Sequence, residues 1–403
     1  MNKKRDEPFS NISPVSGIVD TSPDEYILKK YIIDNTAHVL NEAGYELADY
    51  PVIEPTELFV RKSGGGITGR LYSFIDPGGN RVSLRPEFTS SVIRSYLADP
   101  PPDGGILRRQ YVGPVFRYSD FLTGNALRQF TQQGCERIGP ASLDTDAEIL
   151  RLALESLSMS GIKKITVKLG NVGAIRDLLE RHGLSEALCM YVFSNLTYLK
   201  ENPKYASAIV SRAASLGLVS RREKGKNMVE ADSRDQSSDL IQSLMRESLS
   251  GNTGRRSRSE IVDRLLKRTS ELVDVSTLES ALTDLSRFLI EMTGTVPINS
   301  TEISEVGENY KQKQYMNQLI QTVGKVPGLY ANYSLNFASQ RGLTYYTGLI
   351  FDLVKEDGSD IVSLGGGGRY DSLVRSLGGA VDQDAVGFAI NVDLLHRYAE
   401  SVN

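Results

Sequence analysis

The feature that most constrains the fold is an interruption: strand signals lie on both sides of a long helical middle. Leu71 to Ile75 and Arg81 to Leu84 flank the turn Asp76-Pro77-Gly78-Gly79-Asn80, the pattern of a hairpin. Lys164 to Leu169 reads as a further strand, and strand signals return at Tyr333, Leu335 and Phe337 and again at Leu349 to Val354. Between them, residues 171–325 read as helix after helix, with Leu278, Leu282, Leu285, Leu289 and Met292 forming one apolar stripe. Two helices accompany the first strands. From Asp24 to Ala43 the residues Tyr26, Ile27, Tyr31, Ile32, His38, Val39 and Leu40 recur at near-helical spacing and close near Gly44. From Thr145 to Met159 the residues Ile149, Leu150, Ala153, Leu154 and Leu157 share one face, with Asp144 or Asp146 near the N-terminus.

The expected fold class is α+β: one domain over residues 21–170 and 326–403, with an antiparallel sheet flanked by helices, interrupted by a mainly helical insertion over 171–325. Residues 1–20 mix charge with Pro, Ser and Gly and read as a flexible N-terminal arm. Ser220 to Ser259 is rich in Ser, Arg, Lys, Glu and Gly and reads as a solvated connection. Its cluster Arg255, Arg256 and Arg258 reads as a charge run in water rather than a phosphate contact.

Composition then removes function classes. Lys plus Arg total 46 against 50 Asp plus Glu, a net charge of -4, so no global field favours nucleic acid. Met1 to Ser10 has no apolar core of signal-peptide length, and no stretch approaches the roughly 18 apolar residues of a spanning helix. A cytoplasmic protein with no membrane partner is expected. Cys135 and Cys189 cannot build a disulfide framework and read as buried thiols. His38, His182 and His396 stand in no zinc-binding or HExxH spacing and beside no GxSxG, so neither a metal site nor a histidine-based triad is expected.

Four stretches carry the chemistry. They are Leu84-Arg85-Pro86-Glu87-Phe88-Thr89; Gly113 to Arg117 with Arg128-Gln129-Phe130-Thr131-Gln132-Gln133-Gly134-Cys135-Glu136; Arg341-Gly342-Leu343-Thr344-Tyr345-Tyr346-Thr347-Gly348; and Gly365-Gly366-Gly367-Gly368-Arg369-Tyr370-Asp371. Together they supply carboxylates, amides, arginines and paired tyrosines, with glycines that let a ligand approach the backbone. Such a set suits a small zwitterion: a carboxylate for an ammonium group, a guanidinium for a carboxylate, and a polar clamp for a side chain. The four-glycine run lacks the Lys-Ser/Thr of a phosphate loop and reads as a tight packing turn.

The order of these stretches resembles the histidyl-tRNA synthetase family, a class II aminoacyl-tRNA synthetase, over nearly the whole chain except its middle. Gly44 to Glu54, with Pro51, is similar to the dimer-forming first motif; Phe116-Arg117 through Glu136 to the second; and Arg341 to Tyr346 to the histidine-specific RGLxYY signature. The resemblance implies a class II synthetase-like fold with a histidine site. Glu87 and Thr89 would hold the ammonium group, Gln132 and Arg341 the carboxylate side, and Glu136 with Tyr346 the imidazole nitrogens. Arg117 belongs to the same site, and Tyr345 and the turn Gly366 to Tyr370 would close it.

The sequence departs from that family where ATP is handled. Ser119 stands where the second motif, Phe-Arg-x-Glu, has glutamate, and Leu394 stands where the third, Gly-Leu-Glu-Arg, has the arginine that grips the triphosphate. Leucine cannot neutralise phosphate, and electrostatic stabilisation of the leaving pyrophosphate is what adenylation chiefly requires. Residues 117–128 also lack the family's basic residues at Asp120 and Asn125, and no anticodon-binding domain is expected after Asn403, so tRNA is not an expected partner. This pattern is similar to the regulatory subunits of ATP phosphoribosyltransferase, synthetase paralogues that join a short-form catalytic subunit in the first step of histidine biosynthesis. The resemblance implies no catalytic residues, no cofactor and no metal. It implies histidine as an allosteric ligand, and a homodimer within a hetero-oligomer. Two alternatives stand beside it: a divergent ligase that adenylates histidine with Arg117 and Arg128, and a pure interaction protein.

Overall fold

The structure, a computed structural model, describes residues 13–63, 68–118, 127–220, 272–296, 308–338, 345–357 and 360–399. The chain divides into two compact units, Met1–Gly173 with Met292–Asn403, and Ala174–Glu291.

The first unit begins with α1, Pro23–Glu42. Ser22 caps it reciprocally with Glu25, and Pro23 takes the first turn, where its missing N–H costs nothing. Then come β1 (Glu46–Leu47), β2 (Ile53–Pro55), α2 (Thr56–Ser63), β3 (Ser73–Ile75), β4 (Arg81–Leu84) and α3 (Thr89–Ala98). β2, β4 and β3 form a small three-stranded sheet that contains the expected hairpin, with Asp76 accepting from the Asn80 amide across its turn. β5 (Leu107–Phe116), β6 (Gln129–Ile138), α4 (Leu143–Met159), β7 (Lys164–Asn171), β8 (Thr293–Val296), β9 (Tyr330–Asn336), β10 (Leu349–Asp357), β11 (Asp360–Arg369) and β12 (Ala385–Asn391) complete the main elements. A nine-stranded sheet runs in the order β1-β5-β6-β12-β11-β10-β7-β9-β8. From β5 to β7 every pairing is antiparallel, as expected; β1 with β5 and β7 with β9 are parallel.

Helices cover one face of this sheet. Because side chains alternate along a strand, Gln133, Cys135 and Arg137 share that face. Gln133 donates to the Ile33 carbonyl of α1, and Gln110 of β5 donates to the Tyr45 carbonyl and to Asn41. Arg369 of β11 donates to Asp146 and Thr145 of α4. Ser142 caps α4, and Asp144 and Asp146 stand in its first turn, near the N-terminus as expected. Asp146 is buried, accepting from Arg369 and from the Tyr315 hydroxyl at 2.6 Å.

Several expected boundaries shift. The glycine run is the interior of β11 rather than a turn. The helical segment separated from the sheet unit is shorter than 171–325, since β8 and the helix Glu308–Val323 fall within the first unit. Ser16 and Gly17, placed by sequence in the flexible arm, accept from the Arg128 side chain and amide. The second unit packs helices Glu186–Phe193, Leu196–Glu201, Tyr205–Ser215 and Val275–Glu291, the last burying Leu278, Leu282, Leu285 and Leu289. Arg255, Arg256, Arg258 and most of Ser220 to Ser259 lie outside the described residues, as do Ser119, Asp120, Asn125 and Arg341.

Candidate functional site

The other face of the sheet is open in composition where it matters. Register places Glu136, Gly387, Gly368 and Ile350 opposite one another across four strands, and beside them Tyr111, Gly134, Ala389, Gly366 and Asp352 across five. Cross-strand partners share a face, so a floor almost free of side chains lies between Tyr111 and β10. The glycines are sterically required. A Cβ at Gly387 would lie 1.7 Å from Glu136 Oε2, and one at Gly368 would lie 2.3 Å from the Leu349 carbonyl and 3.0 Å from the Tyr346 ring. The Glu136 carboxylate thus lies over Gly387 and the Tyr346 ring over Gly368, on adjacent strands.

Glu136 is buried, with 2% of its surface exposed. Its Oε1 accepts from Thr89 Oγ1 at 2.7 Å and from the Tyr111 hydroxyl at 3.1 Å, and its Oε2 accepts from Tyr370. Burial pushes its carboxyl up to about 7, against the opposing pull of the Thr89 and Tyr370 hydrogen bonds. Tyr111 is held in place by stacking on Phe88 at 4.4 Å, and Phe88 in turn lies under the Arg85 guanidinium at 4.0 Å. Arg85 donates to the carbonyls of Pro114 and Tyr50, which ties the Arg-Pro-Glu-Phe-Thr turn to β5 and to the chain entering β2.

Glu87 has the opposite electrostatics. Burial works against its charge, but Lys62 and Ser90 outweigh it and hold the carboxyl below the usual range. Lys62 Nζ lies 2.9 Å from Oε2, and Ser90 donates its hydroxyl to Oε1 at 2.5 Å and its amide to both oxygens. The same ammonium stands 4.2 Å from the centre of the Tyr345 ring, which contacts Tyr346 at 4.3 Å and Tyr370 at 6.4 Å. Gln132 shares the face of Glu136 on β6; it is buried, and its Oε1 has no hydrogen-bond partner among the described residues. An orphaned buried acceptor costs about 1–3 kcal/mol, which a ligand N–H would recover. Arg117 donates Nε to the Pro86 carbonyl at 2.9 Å and lies 5.1 Å from the Phe130 ring.

A sequence profile described as Histidyl-tRNA synthetase matches residues 17–234 and 236–395. The chain belongs to the histidyl-tRNA synthetase family.

Similar members include the histidine–tRNA ligase of Sulfolobus acidocaldarius, 28% identical over 96% of this chain and 74% of that protein. The histidine–tRNA ligase of Sulfurisphaera tokodaii is 27% identical over 97% and 76%. Among solved structures, an ATP phosphoribosyltransferase regulatory subunit/histidyl-tRNA synthetase from Bacillus halodurans matches with a TM-score of 0.64 at 21% identity, covering 98% of this chain and 85% of its own. A histidine–tRNA ligase subunit from Alicyclobacillus acidocaldarius matches with a TM-score of 0.57 at 21% identity, covering 97% and 98%. At these identities the solved structures speak to the fold, which is that of the class II family.

Of the residues the sequence singled out, the fold brings Glu87, Thr89, Glu136, Tyr345 and Tyr346 together. It places Gln132 on the same strand face as Glu136, and Arg117 against the carbonyl of Pro86, next to Glu87. Thr89 donates its hydroxyl to Glu136, and the same oxygen keeps lone pairs that can accept from an ammonium group. Sequence reasoning missed Lys62 and Tyr111. Lys62 looks like any helix-surface lysine, and only its partner 25 residues on reveals it. Tyr111 carried a signal, alternating with Gly113 on the strand leading to Phe116-Arg117. At the site of the third synthetase motif, Leu394 is buried and Asp393 accepts from Lys29 of α1 and from the Thr131 amide at 2.6 Å.

Proposed function

We propose that this chain is a histidine-binding regulatory subunit of ATP phosphoribosyltransferase, without catalysis of its own. In this reading it joins a short-form catalytic subunit as a homodimer within a cytoplasmic hetero-oligomer. One observation carries the proposal: buried polar groups of the kind a small zwitterion needs gather at the glycine floor, while the place of the triphosphate-binding arginine is a buried leucine. Glu87 supplies the charge for an ammonium group, and Gln132 an unspent acceptor. Glu136 and Tyr346 lie side by side over the glycine floor, where they suit the two nitrogens of an imidazole. With its carboxyl near 7, Glu136 can either accept from or donate to such a ring. Arg341 would meet the carboxylate. Histidine in this site favours one arrangement of the assembly over another, and a coupling of roughly 1–3 kcal/mol suffices for feedback.

The test is phosphoribosyl transfer by the short-form catalytic subunit, with and without this chain, across a histidine titration. Activation that histidine reverses is the expected result; a rate indifferent to the chain would sink the proposal. A second reading, a ligase that adenylates histidine, is supported by the histidine–tRNA ligases among its relatives and by Arg117, held beside the second-motif strand pair. Histidine-dependent exchange of pyrophosphate into ATP separates the two.

A further inference from the structure

Lys62 is a buried lysine, its side chain 5% exposed, and two groups that attract a cation converge on its ammonium: the Glu87 carboxylate at 2.9 Å and the Tyr345 ring at 4.2 Å. Glu87 is the carboxylate of this site that stays charged, and both its oxygens are already engaged by Ser90 and Lys62. A second ammonium arriving at Glu87 would put two cations on one largely buried carboxylate, a juxtaposition strongly disfavoured out of water. The Ser90 donors are fixed by the start of α3, directly after the turn that carries Glu87. Lys62 is different. It stands one residue before the end of α2, on a four-carbon stem with freely rotating bonds, so its ammonium can leave without moving the helix.

We propose that Lys62 is a built-in competitor for the ammonium group of an α-amino-acid ligand. Its ammonium occupies the ligand's place between Glu87 and Tyr345, keeps Glu87 charged when no ligand is present, and is displaced when the ligand binds. The inference rests on the reading of this site as one for histidine and adds how affinity is set: the ligand must outbid an internal cation, which weakens binding and selects for ligands that carry an ammonium group.

The experiment measures binding of L-histidine and of 3-(imidazol-4-yl)propionate, which lacks the ammonium group, to the full-length chain and to Lys62→Met, a neutral side chain of similar length. Lys62→Met should tighten histidine by about tenfold or more, the scale of a relieved like-charge contact, and should not tighten the propionate. Equal histidine affinity in the two proteins, or weaker affinity in the variant, overturns the competition and leaves the histidine reading intact. No histidine binding by either protein overturns both. If Lys62→Met does not fold, the Nζ resonance of Lys62 in the unmodified chain, assigned with Lys62→Arg, decides. Movement to the position of a solvent-exposed lysine on saturation with histidine supports displacement, and an unmoved resonance overturns it.

Discussion

Replacing Glu136 by Gln tests the electrostatics of the site most directly, because glutamine keeps the shape and removes the charge. In the native chain the Glu136 carboxyl titrates near 7, against an ordinary value of 4.5, because burial disfavours its anion. The sign follows from proton linkage. Between pH 4.5 and 7 the folded protein keeps a proton that the unfolded chain gives up, so this group's contribution to stability falls as pH rises through that window and is fully lost above it. A displacement of that size corresponds to roughly 3 kcal/mol. Glutamine can satisfy the neighbouring hydroxyls: its carbonyl accepts from Thr89 and Tyr111, and its amide donates to the Tyr370 oxygen, whose hydroxyl turns to accept.

Urea unfolding of Glu136→Gln and of the native chain, from pH 4.5 to 8.5, should therefore give curves that coincide near the acid end. They should separate progressively, the variant becoming the more stable by roughly 3 kcal/mol once the pH passes 7. The same variant should lose the part of the pH dependence of histidine affinity that Glu136 contributes, and keep the part that comes from the ligand's own imidazole. A stability difference that is flat from pH 5 to 8 would falsify the assignment of a raised carboxyl to Glu136.

Two further substitutions probe the framework around the site. Asp146→Asn removes one of the two carboxylates that pair with the buried Arg369 and leaves Asp371 at 3.1 Å as the other, so it should cost about 1.5–3 kcal/mol, read as a fall in denaturant midpoint. Gly387→Ala places a methyl group 1.7 Å from Glu136 Oε2 and 2.5 Å from the Cys135 carbonyl oxygen, so the carboxylate must leave Tyr370. It should lower stability by about 1–3 kcal/mol and abolish histidine binding in a calorimetric titration; undiminished affinity would mean that the carboxylate's position is not needed.

The parts of the fold legible in the sequence are those with a side-chain period. Helix α1, helix α4, the β3–β4 hairpin and strand β7 stand within a few residues of where alternation and capping residues put them. What the sequence concealed had no period to show. Four glycines in succession carry no alternation, and read as a turn although Gly365, Gly367 and Gly368 lie where a Cβ would strike neighbouring carbonyls or backbone inside the sheet. β8 has four residues and β1 two, too short for a pattern. The polar site was legible only through the order of its motifs. Taken singly, Glu87 and Glu136 read as surface carboxylates, yet one is paired with a buried lysine and the other sits under three hydroxyl donors. Long-range partners of that kind leave no local trace.

Charge accounting links these observations to function. Glu87 and Lys62 cancel; burial disfavours the charge of Glu136; Asp393 is paired with Lys29; and Leu394 adds nothing. Stabilising a triphosphate and its leaving pyrophosphate requires concentrated, uncompensated positive charge. The described cations beside the glycine floor are instead spent on carboxylates or carbonyls of the chain itself, Lys62 on Glu87 and Arg117 on Pro86. A site balanced in this way discriminates poorly in favour of a polyanion and well in favour of a molecule that carries one charge of each sign. Such a ligand can exchange places with an internal ion pair without stranding a charge. On the function proposed above, that is the electrostatic requirement of a sensor for an amino acid, and the residues that would meet it come from α2, the turn before α3, β5 and β6.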